Sequence, residues 1–285
     1  MIFLANHLLL LSGSRVRRVI ISRKGFDSGY GKKPSPIFND NRIFSLPIPW
    51  PEKTPTKYED LYFNGISGAE ALAEANVTSV KAEDYCHYDP YLNGKIGIFG
   101  QHKQAQGYLR NKEVGIGDLF LFFGLFKKYS SKERMLHHLF GWLQISQIIE
   151  TDDINKFLSS QKIKHPHGYG DLIGSKQNTI YVSDQPLNIH NKKTNLRGHG
   201  IFKYSNNDLI LTSPSHNTST WQLPETYFQD FKSPEGSDGF FMRKFRTDKQ
   251  KYLVDTSGQW QEAVLDVESN PKVIDWAIEL ISQYS

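Results

Sequence analysis

The chain has 285 residues, 38% hydrophobic and 22% charged, enough apolar side chains for a sizeable packed core without the help of cross-links. One cysteine, Cys86, excludes an internal disulfide framework and points to a reducing, cytoplasmic setting. A formal net charge of +4 and a pI near 8.9 exclude an acidic, solvating chain and fit a polyanionic partner.

The opening MIFLANHLLLL (1–11) is apolar, but its basic residues follow the apolar run instead of preceding it, and it is too short to span a bilayer. Residues 1–16 therefore read as an N-terminal extension, residues 17–285 as a single domain, and no membrane partner is expected. Residues 16–22 form a β-branched run that predicts a strand entering a Gly- and Pro-rich loop. A second strand is expected over 42–48, before the turn-rich PIPWPEKTP.

SGAEALAEAN (67–76) carries a Ser N-cap with Glu70 three positions on, which predicts a short helix. VGIGDLFLFFGLF (114–126) and LFGWLQISQII (139–149) are continuous apolar runs without helical caps and read as neighbouring buried strands. TDDINKFLSSQ (151–161) reads as a capped helix; 179–183, 200–204 and 208–212 read as short strands; the helix over 269–284 has Pro271 at an early position. With no repeat, no low-complexity tract and no long linker, the fold class is α+β: one mixed domain with a central β-barrel-like or strongly curved sheet, by analogy with PUA and ASCH barrels, and peripheral helices.

Charge is concentrated early. Between positions 15 and 33 stand Arg15, Arg17, Arg18, Arg23, Lys24, Lys32 and Lys33 against a single acid, Asp27. That segment alone carries six net positive charges and predicts a focused anion-binding patch.

The motifs SRKGFDSGYG (22–31), PSPIF (34–38), SLPIP (45–49), HYDPYL (87–92), GQHKQAQGYL (100–109), GDLFLFFGLF (117–126), HHLFGWLQI (137–145) and HPH (165–167) run along nearly the whole chain from about residue 18. With WQLP (221–224) and QEAVLD (261–266), they resemble the third nucleotide modification associated domain family. The resemblance implies handling of modified bases in DNA, in the context of phage and bacterial defence genes. Asn39 and Asn41 stand where the family pattern has Pro and Gly, and Leu125 where Trp is common.

The loop at 22–38 carries the sharpest chemistry. Arg23 and Lys24 are neighbours on a strand, so one can meet a phosphate while the other faces a pocket. Gly25, Gly29 and Gly31 allow close approach of backbone to a ligand, and Tyr30, Lys32 and Lys33 add stacking and charge. Asp27 lies among cations, a setting that favours its carboxylate form. A fixed carboxylate can stabilise the oxocarbenium-like transition state of N-glycosidic hydrolysis and orient the attacking water. The structural alternative is an Asp that caps its own turn.

His87 and Asp89, spaced H-x-D, share one face of an extended segment; either His87 gives a proton to a departing base or the two form a structural pair. A Cys86–His87 nucleophile is disfavoured because strand neighbours point apart, and a buried thiol is expected. Gln101, Gln104 and Gln106 are amides suited to the edge of a flipped base, unless they lie on a polar helix face. His165 and His167 add to a substrate-binding set; metal ligation by these histidines is weighed, but no spacing matches a closed zinc site, so no metal or cofactor is expected. The aromatics Tyr30, Phe99, Phe122, Trp142, Tyr169 and Trp221 are expected to be mostly core.

The reading is a DNA glycosylase acting on a modified, hypermodified-pyrimidine-like base, with Asp27, Lys24, His87 and Asp89 catalytic. If Lys24 is the nucleophile, a Schiff base with C1′ forms and strand cleavage follows. The rival readings are a non-catalytic reader of modified bases and a metal-dependent nuclease.

Overall fold

A computed structural model describes residues 16–27, 29–51, 54–173, 175–189, 192–228, 242–248, 251–256, 261–268 and 270–285. The N-terminal extension up to residue 15, with its Arg15, lies outside the described residues.

The chain begins with β1 (Arg18–Arg23), β2 (Ser35–Ile37), β3 (Tyr62–Phe63), β4 (Ile66–Ser67) and α1 (Gly68–Glu74). β5 (Gly97–Gln101) leads into α2 (Lys103–Asn111) and then the long strands β6 (Leu119–Lys128) and β7 (Leu136–Gln144). β8 (Gln147–Glu150), α3 (Thr151–Gln161), β9 (Thr179–Ser183), β10 (Pro186–Ile189), β11 (Lys192–Arg197) and β12 (His199–Ile201) follow. β13 (Thr220–Leu223), α4 (Glu225–Phe228), β14 (Met242–Asp248), β15 (Lys251–Thr256), β16 (Glu262–Asp266) and α5 (Lys272–Tyr284) complete the order.

The largest sheet runs β12-β7-β6-β1-β16, with β2 beside the far end of β6. β1 is interior: parallel to β6 from Val19↔Leu119 to Arg23↔Phe123, and antiparallel to β16 from Arg18↔Asp266 to Ser22↔Glu262. Val19, Ile20 and Ile21 are all fully buried, which is why β1 reads as a continuous β-branched run and not as an alternation. β6 and β7 pair antiparallel, as the two apolar runs predict, with a register shift between Phe122 and Phe123.

A second sheet, β5-β9-β8, packs on the first through Phe99 of β5, whose ring centroid lies 4.9 Å from Phe120 and 5.0 Å from Phe122. The expected barrel is corrected here. The described strands fall into five separate sheets, and β5 packs its aromatic edge to face on β6 instead of extending the large sheet, so no closed barrel forms among the described residues.

Local signals settle the helices. Ser67 Oγ accepts from Glu70 N at 3.2 Å while Glu70 Oε2 accepts from Ser67 N at 2.7 Å, the reciprocal cap that starts α1. α3 covers the predicted 151–161, and α5 starts just after Pro271.

The strand expected over 42–48 does not form, because its backbone bonds scatter: Ile43 N donates to Lys203 O and Phe44 N to Pro36 O, while Pro47 and Pro49 have no N–H to give. The strand expected over 208–212 gives way to a 3-10 turn, Asn207–Leu209, whose entry is capped by Asn206 Oδ1 accepting from Asp208 N at 3.1 Å. The one expected over 200–204 is displaced and shortened to β12. Asn41 adopts φ +64°, a left-handed conformation that asparagine tolerates better than most side chains.

No helix among the described residues is long and apolar enough to cross a membrane.

Candidate functional site

Where β1 ends, its backbone is clamped on both sides: Arg23 N donates to Gln261 O at 2.7 Å and Lys24 N to Phe123 O at 2.8 Å. The chain then turns at Gly25, φ +82°, where a Cβ would stand 2.9 Å from Leu46 O. Phe26 is buried and anchors the loop. Gly31 lies so close to it that a Cβ would meet the Phe26 ring at 2.3 Å. Between these anchors Asp27 Oδ1 accepts from Gly29 N and Tyr30 N, each at 2.7 Å, so the carboxylate does cap its own turn.

This loop forms one wall of a cavity of about 300 Å³, lined by Arg23, Lys24, Gly25, Asp27, Tyr30, Ile48, Trp50, His87, Asp89, Gly100, Gln101, His102, His167 and Gln261. It falls at the small end of ligand pockets, roughly 300–1,000 Å³. The four expected catalytic residues, Asp27, Lys24, His87 and Asp89, all line it, together with Arg23, Gly25, Tyr30, Gln101 and His167.

Other expected binding residues lie elsewhere. Gln106 is buried in α2, where its Oε1 accepts from Tyr181 OH at 3.0 Å, so it braces the second sheet and does not face the cavity. His165 is fully buried behind Asp89. Gly29, Lys32 and Lys33 are exposed on the loop, outside the cavity lining.

Lys24 is not a free amine. Its Nζ lies 3.0 Å from Glu262 Oε1 and 4.8 Å from the centroid of Phe99. Glu262 also accepts from Ser22 Oγ at 3.3 Å and from Gln101 Nε2, so one buried carboxylate ties together β1, β5 and β16. Arg18 is likewise matched, 3.3 Å from Asp266, its neighbour in the β1–β16 register. The six-charge patch is thus partly neutralised by strand partners that are remote in sequence, and among the described residues its exposed cations are Lys32 and Lys33.

The opposite wall is built from histidines. His87 N donates to Ile48 O at 2.9 Å, which brings Trp50 against the imidazole with ring centroids 4.8 Å apart. Asp89 lies deeper, its side chain 4% exposed; Oδ1 accepts from Gly100 N at 3.0 Å and lies 3.2 Å from His165 Nε2, while Oδ2 is 3.6 Å from His167 Nε2. His167 Nδ1 meets Asn178 Oδ1 at 2.5 Å. The His102 ring stands at the same wall, 5.9 Å from His167, and its buried Nδ1 has no hydrogen-bond partner.

Burial pushes the His87 imidazole down to about 4, with only partial compensation from Asp89. At neutral pH the ring is therefore uncharged, with one N–H and one lone pair and no imidazolium proton to give. His167 is pushed further, to about 3, by its burial. For Asp89 burial works against the charge, but the His165 hydrogen bond outweighs it and holds the carboxyl below the usual range. Cys86 is a fully buried thiol, as expected, and burial raises its pKa.

Reading the sequence missed Trp50, His102, Asn178 and Glu262. None carries a local signal, although His102 and Glu262 lie inside motifs already noted, GQHKQAQGYL and QEAVLD. Their roles exist only once the 48–50, 87–89, 100–102, 165–178 and 261–262 segments meet. No curated protein and no solved structure matches the chain. The sequence profile of a family described as nucleotide modification associated domain 3 matches residues 18–266, a span that contains every residue of this cavity, and the chain belongs to that family.

Proposed function

We propose that the protein is a DNA glycosylase that hydrolyses the N-glycosidic bond of a modified base flipped into the cavity. The observation that carries this reading is the joint lining of one concavity by Asp27, Asp89, His87, Gln101, Trp50 and Tyr30. That set offers a carboxylate for the sugar, an amide for a base edge, and rings for stacking, which is worth about 1–3 kcal/mol per base. Gln101, His102 and Gln261 also line a wider groove, which runs past Lys103, Gln104 and Tyr108, so a strand has a path away from the base pocket.

In this reading Asp27, held by two loop amides, faces the developing charge at C1′, and the neutral His87 accepts a proton from the attacking water. The departing base is met by Gln101 and by the Lys24 ammonium, whose ion pair with Glu262 disfavours a Schiff-base route. One observation favours a non-catalytic reader instead: Asp27 Oδ1 is already engaged in its own turn. Incubation with DNAs carrying different cytosine and thymine modifications, followed by mass spectrometry of the small-molecule fraction, separates the two. Release of a free base supports hydrolysis; tight binding with no release from any substrate supports the reader.

A further inference from the structure

One contact in the cavity is unfavourable as it stands. Asn178 Nδ2 donates to both His167 O and Leu172 O, each at 2.8 Å, which fixes the amide so that its oxygen faces the His167 ring. The nitrogen 2.5 Å from that oxygen, His167 Nδ1, must therefore carry the hydrogen. In a neutral ring the other nitrogen, Nε2, is then a lone pair, and it points at Asp89 Oδ2 from 3.6 Å. Two acceptors facing each other in a buried place are unfavourable unless a proton, a bridging water that donates to both, or a metal ion relieves the contact.

A metal ion is the bridge that the surrounding donor atoms support. His87 completes a set: one ligand atom from each of His87, Asp89 and His167 lies within 4.8 Å of the others. Ligand bonds of about 2.0–2.2 Å span up to roughly 4.4 Å, so the trio stands slightly open, within reach of small side-chain torsions. The surroundings match what metal ligands require: Asn178 fixes the His167 ring through its distal nitrogen, and His165 with Gly100 N fixes the Asp89 carboxylate. His102 Nδ1, buried without a partner, adds a polar atom beside the cluster for an ion-bound water.

We propose that His87, Asp89 and His167 bind a divalent first-row transition metal ion at the floor of the base cavity, with coordination positions left open to the cavity. Two imidazoles and one carboxylate are the donor set of open zinc and non-haem iron sites, in which the ion acts as a Lewis acid on a bound water or substrate oxygen. Such an ion takes up the His87 lone pair, so in the metal-bound protein the attacking water is activated by the ion and not by His87; the site replaces that one assignment of the glycosylase reading and leaves the roles of Asp27 and Gln101 as they stand.

The test reads ion binding and not catalysis. The full-length protein is stripped with chelator and titrated with Zn²⁺, Mn²⁺ and, without oxygen, Fe²⁺, by calorimetry and elemental analysis; Co²⁺ serves as the visible-absorption probe. The site predicts one ion per chain, a Co²⁺ ligand-field spectrum that is lost in His87→Gln and Asp89→Asn, and affinity weakened about 10–100-fold in Asn178→Ala. Circular dichroism of each metal-free variant checks that the fold is retained, and the wild-type titration stands whether or not a variant folds. A folded wild-type protein that takes up none of these ions, or a Co²⁺ spectrum unchanged in His87→Gln, overturns the proposal.

Discussion

Gly100 and His167 are in direct contact: a Cβ built on Gly100 would stand 2.2 Å from His167 Cδ2. The bare backbone of β5 lets the imidazole lie against the strand, while the Gly100 amide holds Asp89. Gly100→Ala is therefore expected to push His167 out of the cavity without unravelling β5, whose ladder with β9 stays intact. Histidine side-chain NMR should show His167 displaced, with a thermal melt that remains cooperative. An unmoved His167 would mean that the strand yields instead.

Phe122 is fully buried in β6, meets Phe99 edge to face and stacks against Phe140. Phe122→Ala should cost about 3–5 kcal/mol, read from urea denaturation, because it opens a cavity where the two sheets meet. A cost below about 1 kcal/mol would place that ring outside the core.

How much of this was legible in the sequence depended on how local the signal was. α1 and α3 were readable because caps and apolar spacing lie within the segment itself, as with Ser67 and Glu70. The 42–48 segment misled because its residues look like a strand, while their partners are Pro36 on one side and Lys203 on the other. At the site, Asp27, Lys24, His87 and Asp89 were visible as chemistry-bearing residues in short motifs. Glu262 was not, since an acid in a β-strand says nothing until the β1–β16 register sets it beside Lys24. Gln106 looked like a ligand residue because a buried amide and a base-reading amide are the same residue type; only Tyr181 tells them apart.

His137 and His138, adjacent in β7, make stability depend on pH. Burial pushes them down to about 3 and about 4, the first helped by the Arg23 charge. Their nitrogens face Trp221 Nε1, Ser205 Oγ and Leu139 O. Unfolded, each titrates near 6.5, so between about pH 6.5 and 3 the unfolded chain binds more protons than the folded one. Stability is fully present above that window and falls as pH drops through it. Urea midpoints should decline from pH 7 to pH 5, and less steeply in His138→Gln; a flat profile in the wild type would contradict the burial of both rings.

Lys32 and Lys33 are exposed beside the cavity, which makes them candidates for phosphate contact. Reversing both to Glu should flatten the salt dependence of DNA binding by about 0.9 in log–log slope for each phosphate no longer neutralised, with base preference unchanged. An unchanged slope would move the DNA face elsewhere.

The glycosylase reading itself rests on the Asp27 charge at the cavity wall. The most direct measurement is the rate of base release from the preferred modified DNA by Asp27→Asn, which keeps the side-chain oxygen that caps Gly29 and Tyr30 but removes the charge. Release is expected to fall by several orders of magnitude while DNA binding persists, and borohydride is expected to trap no covalent adduct in the parent protein. Wild-type rates of base release in Asp27→Asn would contradict a catalytic role for that carboxylate.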